Sequence, residues 1–257
     1  KAIDLDRYDA SYRHLVVWNE AKQEIVGAYR MIGTDEALDT AGVDGLYTYT
    51  LFRYEEQTLR DLGPSLELGR SFVRAEYQKS FGPLLLLWRA IGAFVCANPR
   101  YRFLFGAVSI TAEYQPLSQA LMIQYLRSNS RHDELAESIV SRHPVASRTT
   151  AEGARWTAGL QGRDLRELSD LIAEIEGDQR GVPTLLKEYL KLGGRVLDFN
   201  VDPDFNDVLD GLIVVDVATA DPRVLGRYFT REGVAMLRRY HGTDPGPGEA
   251  DPAASAG

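Results

Sequence analysis

Short apolar runs rich in aromatic and β-branched residues, the pattern of strands, fill the first third of the chain. His14-Leu-Val-Val-Trp-Asn19 and Glu24-Ile-Val-Gly-Ala-Tyr-Arg-Met31 are two of them, joined across Glu20–Gln23 as a hairpin. Gly42–Gly45 punctuates, and the alternation in Leu46-Tyr-Thr-Tyr-Thr-Leu-Phe52 predicts another strand; Leu66–Val73 predicts a fourth. The period changes at Gly82-Pro83. From there Leu84, Leu87, Trp88, Ile91, Phe94 and Val95 recur at helical spacing until Asn98-Pro99 stops them. Tyr101–Ile110 predicts a central strand and Leu117–Arg127 a helix. Leu165, Leu168, Leu171, Ile172 and Ile175 predict a helix capped by Asp164, and Pro183–Leu192 another, ended by Gly193-Gly194. Arg195–Val201 and Leu212–Ala218 predict strands, and two short helices begin near Asp221-Pro222 and Thr230. Residues 128–163 are polar with little period and read as a surface insertion within one domain, 1–242; residues 243–257 read as a disordered tail.

This order of elements is a mixed α/β sheet domain. Among its 257 residues 44% are hydrophobic and 26% charged, which excludes disorder, collagen and coiled coil and provides for a sizeable core. A formal net charge of −8 leaves no global positive field to gather nucleic acid, so a phosphate-bearing partner must be met by a local patch. The longest apolar stretch, Pro83 to Ala97 with Arg89 inside it, falls short of the about 20 apolar residues that span a bilayer. Cys96 is the single cysteine, which removes intramolecular disulfides and fits a reducing, cytoplasmic compartment. Lys1–Asp9 is polar, unlike a signal peptide, and without an initiator Met the chain is expected to be a piece of a longer protein.

Candidate chemistry begins with a charged set: Asp6, Asp9, Arg30, Glu67 and Arg70. Strand counting puts Glu67 and Arg70, three apart, on opposite sides of the sheet. An arbitrary Glu-x-x-Arg is most often a structural ion pair. Asp202, Asp204, Asn206, Asp207 and Asp210 fail as a calcium loop, because Asp207 stands at the glycine position and Ile213 where a Glu is required. A solvated turn is expected there. Trp88, Phe94 and Phe105 are expected in the core or along a ligand tunnel, which periodicity does not separate.

In order along the chain, Asp6-x-x-Asp9, Ile25-Val-Gly27-x-x-Arg30 and Glu67-Leu-Gly-Arg70-Ser-Phe-Val73 resemble the core of the GNAT-like N-acyltransferases of the ornithine lipid synthesis and "putative hemolysin" group. The likeness continues in Gly106-Ala-Val-Ser109, in Gly181-Val-Pro-Thr-Leu-Leu-Lys-Glu-Tyr-Leu-Lys-Leu-Gly193 and in Val201-Asp-Pro-Asp-Phe205 with Asp210-Gly-Leu-Ile-Val-Val215, over roughly residues 1 to 240. N-acyl homoserine lactone synthases share the charged set but not the C-terminal block. In larger bacterial proteins the similar region is fused behind a lysophospholipid acyltransferase domain, whose His-x-x-x-x-Asp motif none of His14, His132, His143 or His241 begins here.

The resemblance implies a GNAT-like, mostly antiparallel sheet flanked by helices, with a first strand and helices expected upstream of Lys1. It implies transfer of a long, often 3-hydroxylated acyl chain from acyl carrier protein to the amine of an amino acid such as ornithine. An ammonium must lose a proton before it attacks a thioester, and Glu67, directly or through water, is the candidate base. Arg30 and Arg70, beside Asp6 and Asp9, would fix its orientation and ionisation or bind an acceptor carboxylate. Backbone N–H groups at Phe72 and Val73 would stabilise the developing oxyanion. The phosphopantetheine phosphate would sit at Gln78-Lys79-Ser80-Phe81-Gly82, with Arg74 near. With one glycine and then Pro83, that loop departs from the glycine-rich loop of coenzyme A-dependent relatives, so carrier-bound donor is expected over coenzyme A. Ser109 would hold the acceptor or protonate the leaving thiolate, and Tyr114 is a further candidate acid. No metal and no bound cofactor are expected. A lipidic product implies a peripheral membrane contact through the Arg-rich stretch Arg127–Arg155. The alternative is a non-catalytic module that binds carrier protein or lipid for a partner domain.

Overall fold

Strands β1 (Arg13–Asn19) and β2 (Glu24–Gly33) form the expected hairpin, turned at Gln23 with φ +52°. In the computed structural model, which describes residues 5–79, 81–145, 162 and 164–243, they are the outer pair of a six-stranded sheet. The sheet runs β1-β2-β4-β5-β8-β7, with β4 (Ser65–Val73), β5 (Phe103–Ile110), β7 (Arg195–Asp202) and β8 (Val208–Asp216). Every neighbouring pair is antiparallel except β4 and β5. The mixed, mostly antiparallel sheet read from the sequence is the one the chain forms.

Helix α1 (Thr34–Ala41) follows β2, and α2 (Glu56–Leu62) precedes β4. Neither is foreshadowed by the apolar pattern, since α1 opens on Asp35 and Glu36 and buries only Thr34 and Ala37. The strand expected over Leu46–Phe52 is a correction: Tyr47–Thr50 is a 3-10 turn, and only Phe52–Arg53 is extended, as β3. The Tyr and Thr of that segment have strand propensity, but tertiary hydrogen bonds described below hold the turn. Helix α3 (Gly82–Ala97) starts at its Pro and ends at Asn98, and α4 (Pro116–Asn129) follows β5. The described part of the expected insertion is packed, with α5 (Asp133–Ala136) and β6 (Val140–Ser141) pairing with β3. The rest of it, the Arg-rich stretch beyond residue 145 and the tail beyond Thr243 lie outside the described residues. Helix α6 (Leu165–Glu176) is capped by Asp164 as expected; α7 (Thr184–Lys191), α8 (Pro222–Leu225) and α9 (Arg231–Tyr240) complete the chain.

The two sheet faces carry separate cores. On one, Tyr29, Met31, Leu66, Leu68, Leu104 and Val108 pack with Leu87, Trp88, Ile91 and Val95 of α3. On the other, Ile32, Phe105, Leu212 and Val214 pack with Tyr8, Tyr12 and Leu46, with Phe52 of β3 and with Leu59 of α2. Phe94 stacks on Tyr101, and Trp88 lies between Tyr189 and Tyr228, so these two aromatics are core. Alternation places Arg30 and Glu67 on the second face, with Ile32 and Phe105.

The middle of the sheet positions the site. Strands β4 and β5 pair only at Ser65–Phe103, Leu66–Leu104 and Glu67–Phe105, and then part. Where they last touch, Gly106 leaves no room for a side chain: a Cβ there would stand 2.1 Å from the Leu68 carbonyl oxygen. Gly106→Ala is therefore expected to cost on the order of 3 kcal/mol in a urea unfolding titration, the upper range for overpacking; a change under about 0.5 kcal/mol would show that the strands part without that contact.

Candidate active site

A bulge in β4 gathers the charged residues. The β2–β4 register shifts between Ala28 and Arg30, and Arg70 opposite takes φ +46°. That left-handed residue breaks the alternation, so Arg70 does not face away from Glu67's side as strand counting predicts. Its Nε lies 3.6 Å from Asp6 and its Nη1 3.8 Å from Asp9. The same two carboxylates take Arg30: Nη1 donates to Asp6 at 2.7 and 2.8 Å and to Asp9 at 2.8 Å. Arg30 is 1% exposed, its guanidinium covered by the rings of Tyr8, Tyr12 and Tyr47 with centroids 5.6, 4.8 and 5.5 Å away. This packing is a cation–π cage closed by two carboxylates. The Asp6 amide and then Arg30 hold the Asp9 carboxyl below its ordinary value. Arg30 is thus committed to the cage; an incoming carboxylate would find Asp6 and Asp9 in its place.

Glu67 stands next to this cage, 1% exposed. Its Oε1 accepts from the Thr48 amide at 2.9 Å, and Oε2 has no hydrogen-bond partner. The Tyr12 hydroxyl faces the carboxyl while accepting from the Tyr47 amide at 2.8 Å. Burial pushes the Glu67 pKa up to about 7, against the opposing pull of the Thr48 amide, Tyr12 and Arg30. A carboxyl poised there changes protonation state near neutrality, as a general base must. Because it is buried, it reaches solvent chemistry only through an intermediary.

The expected donor residues lie around the end of β4. A cavity of about 500 Å³ is lined by Phe72, Val73, Gln78 and Lys79 together with Leu84 of α3 and Leu185 of α7. Arg74 is not among them; it is tied to Glu24 at 2.6 Å and Glu76 at 2.9 Å. Its amide donates to Val26 of β2, so by strand alternation the Val73 N–H points to the opposite edge, where β5 has left, and the Phe72 N–H toward β2. Val73, of the two, presents its amide to the opening. Gly82 begins α3, whose N-terminus has no side-chain cap. Ser80 lies outside the described residues.

Tyr114 is removed from the site: its hydroxyl donates to the Gly181 carbonyl at 2.8 Å, in the core of the other face. Ser109 is exposed on the Glu67 face of β5 and donates to Asp210 at 2.6 Å. The solvated turn expected around Asp202–Asp210 is confined to its middle, because Asp202 and Asp210 are buried in β7 and β8. Sequence reasoning missed Tyr8, Tyr12, Tyr47 and Thr48; the spacing Tyr8-x-x-x-Tyr12 across Asp6-x-x-Asp9 was the available signal. Among the described residues no group of three His, Cys, Asp or Glu is arranged to hold a metal ion, and no helix is long and apolar enough to cross a membrane.

A mixed sheet parted between two parallel middle strands, with a bulge at the parting and a helix starting beyond it, is the GNAT acyltransferase architecture. The family described as acetyltransferase (GNAT) domain matches residues 1–88. The chain is 34% identical over 241 residues to the glycine N(alpha)-acyltransferase of Phocaeicola vulgatus, covering 87% of this chain and 72% of that protein. It is 29% identical to the same-named protein of Bacteroides thetaiotaomicron (87% and 70%) and 26% to the L-ornithine N(alpha)-acyltransferase of Brucella abortus (88% and 74%). No solved structure matches it significantly. The chain belongs to this family of GNAT N-acyltransferases and is an acyltransferase enzyme, which sets aside the non-catalytic reading.

Proposed function

We propose that the enzyme transfers a long acyl chain, often 3-hydroxylated, from the phosphopantetheine thioester of acyl carrier protein to the α-amine of an amino acid such as ornithine, giving a lyso-aminolipid. The observation that carries this reading is Glu67, a buried carboxyl with a pKa of about 7 at the root of the strand opening, with an apolar cavity along the opposite edge of β4. The relatives' printed names supply the acceptor class, glycine or L-ornithine.

In this scheme the donor's pantetheine follows the end of β4 past Val73 into the opening, and Gln78 and Lys79 meet its phosphate. Glu67 takes a proton from the acceptor ammonium through water. The freed amine attacks the thioester carbon, and the oxyanion is met by the Val73 N–H. The C–S bond breaks, the second amine proton is lost, and the thiolate takes up a proton as it leaves. Arg30, Arg70, Asp6 and Asp9 hold the β4 bulge and Glu67 in place. A lipidic product is consistent with a peripheral membrane contact.

Mass spectrometry of reactions containing 3-hydroxyacyl carrier protein, or the coenzyme A thioester, with a panel of amino acids tests the reading. An acyl-amide formed from the carrier-bound donor is expected, with slower turnover of the coenzyme A thioester. No amide from any amino acid with either donor would overturn it.

A further inference from the structure

Charge is unevenly placed along this chain. Its formal net charge is −8, yet from Gln78 to Ala112 it carries Lys79, Arg89, Arg100 and Arg102 and no carboxylate. From Pro222 to Thr243 it carries Arg223, Arg227, Arg231, Arg238 and Arg239 against the single acid Glu232. The fold brings the two stretches together. Helix α9 packs on α3: a Cβ at Gly92 would stand 2.5 Å from the Tyr228 carbonyl oxygen, and one at Gly233 would meet the Cys96 sulfur. Arg89 Nε donates to the Arg227 carbonyl at 3.3 Å, which sets these two arginines side by side. Arg100 and Arg102 are engaged elsewhere, with Asp35 and Asp216. Among the described residues, Lys79, Arg89, Arg227 and Arg231 form no ion pair.

This basic face begins at the opening. Gly82, Leu86, Arg89 and Ala93 recur at helical spacing and form a solvent-exposed stripe of α3. Leu86 is 52% exposed, while Leu84, Leu85 and Leu87 around it pack on the core. A large apolar side chain in the open beside an unpaired arginine has the composition of an interface. The stripe starts at the cavity by the end of β4, which Lys79 and Phe81 line, and rises about 10 Å from Gly82 to Arg89. A phosphopantetheine phosphate held by Lys79 is esterified directly to a serine of the protein that carries it, so the body of that protein rests against whatever surrounds Lys79. Acyl carrier proteins are acidic, and two net-negative proteins repel unless a local positive face meets the partner.

We propose that the exposed face of α3, with Leu86 and Arg89, and the adjoining α8–α9 corner, with Arg227 and Arg231, are the docking surface for the acyl carrier protein. The inference rests on the carrier-bound donor proposed above. Carboxylates of the carrier pair with Arg89, Arg227 and Arg231, its apolar side chains cover Leu86, and its arm enters the opening past Lys79. An anionic bilayer is the competing occupant of a basic face with an exposed leucine. The carrier is favoured because the face starts at the phosphate seat, where a bilayer would bar the donor from entering.

The test gives the full chain the same acyl group on two donors, the carrier-protein thioester and the pantetheine thioester, which lacks the protein. Arg89→Glu combined with Arg227→Glu is expected to lower kcat/KM for the carrier thioester at least about tenfold, through KM, and to leave that for the pantetheine thioester within about twofold. Leu86→Ser should move the carrier KM the same way by less, and Arg60→Glu on α2, a charge reversal elsewhere, should not move it. Calorimetric titration with holo carrier protein, which needs no turnover, should show a Kd at least about tenfold weaker in the double variant. An unchanged Kd, or equal losses on both donors, would overturn the proposal. Unchanged carrier kinetics with lost sedimentation on phosphatidylglycerol vesicles would overturn it in favour of a membrane. A wild type that uses the pantetheine thioester as well as the carrier thioester would remove the carrier-bound donor itself, and the docking surface with it, while leaving the acyltransferase. Should the double variant fail to fold by thermal melting, the wild type decides: its Kd for holo carrier protein should weaken at least about fivefold from low to high salt, a salt-independent Kd being the negative result.

Discussion

Glu67→Gln is expected to lower kcat by about 10²- to 10⁴-fold, the range associated with loss of a general base. The amide keeps an oxygen to accept from Thr48, so the turn is retained while proton acceptance is lost. In the wild type, kcat/KM should rise with pH through about 7 as Glu67 ionises, and that limb should vanish in the variant. The same change should stabilise the fold. A carboxyl whose folded-state pKa is about 7, against 4.5 ordinarily, is held more tightly protonated by the folded than by the unfolded chain. Its contribution is therefore greatest below pH 4.5 and is lost as pH rises through 7, reaching a cost of about 3 kcal/mol at pH 8. Urea titrations at pH 5 and pH 8 should show Glu67→Gln gaining on the wild type by about three times as much or more at the higher pH. A variant with full turnover, or with a gain equal at both pH values, would remove the buried base from the mechanism.

Arg30→Ala is expected to cost about 3–5 kcal/mol in unfolding free energy, as for breaking a buried ion pair. It removes the buried cation paired with Asp6 and Asp9 and empties the space between three tyrosine rings. Arg30→Lys should recover less than half, because an ammonium does not replace a flat guanidinium stacked on those rings. The exposed Arg60–Glu56 pair on α2 serves as control, expected to be worth no more than about 0.5 kcal/mol. A loss at Arg30 no larger than at Arg60 would show that the cage does not hold the N-terminal segment.

Much of the sheet was legible because its strands carry short runs of β-branched, aromatic and other apolar residues and its long helices open on Pro or Asp and stop at Asn or Gly. The segment between β2 and β4 was not. There Tyr47 and Thr48 are held by the Tyr12 hydroxyl and the Glu67 carboxyl, contacts 35 and 19 residues apart that no local period records. The charged set Asp6, Asp9, Arg30 and Arg70 was found by its residue types, but its arrangement depended on one left-handed residue that counting by twos passes over. Asp202 and Asp210 looked like turn residues because acids crowd there; only their pairing in β7 and β8 shows them buried.

The three paired positions between β4 and β5 have a mechanical consequence. They join two ribbons, β1-β2-β4 and β5-β8-β7, much as a pin joins the blades of a pair of shears. A wedge entering from the open end spreads the blades most at Ser71 and Ser109 and least at the pin, which contains Glu67. A bulky acyl chain can thus widen the gap it occupies while the carboxyl and its Thr48 contact keep their distance.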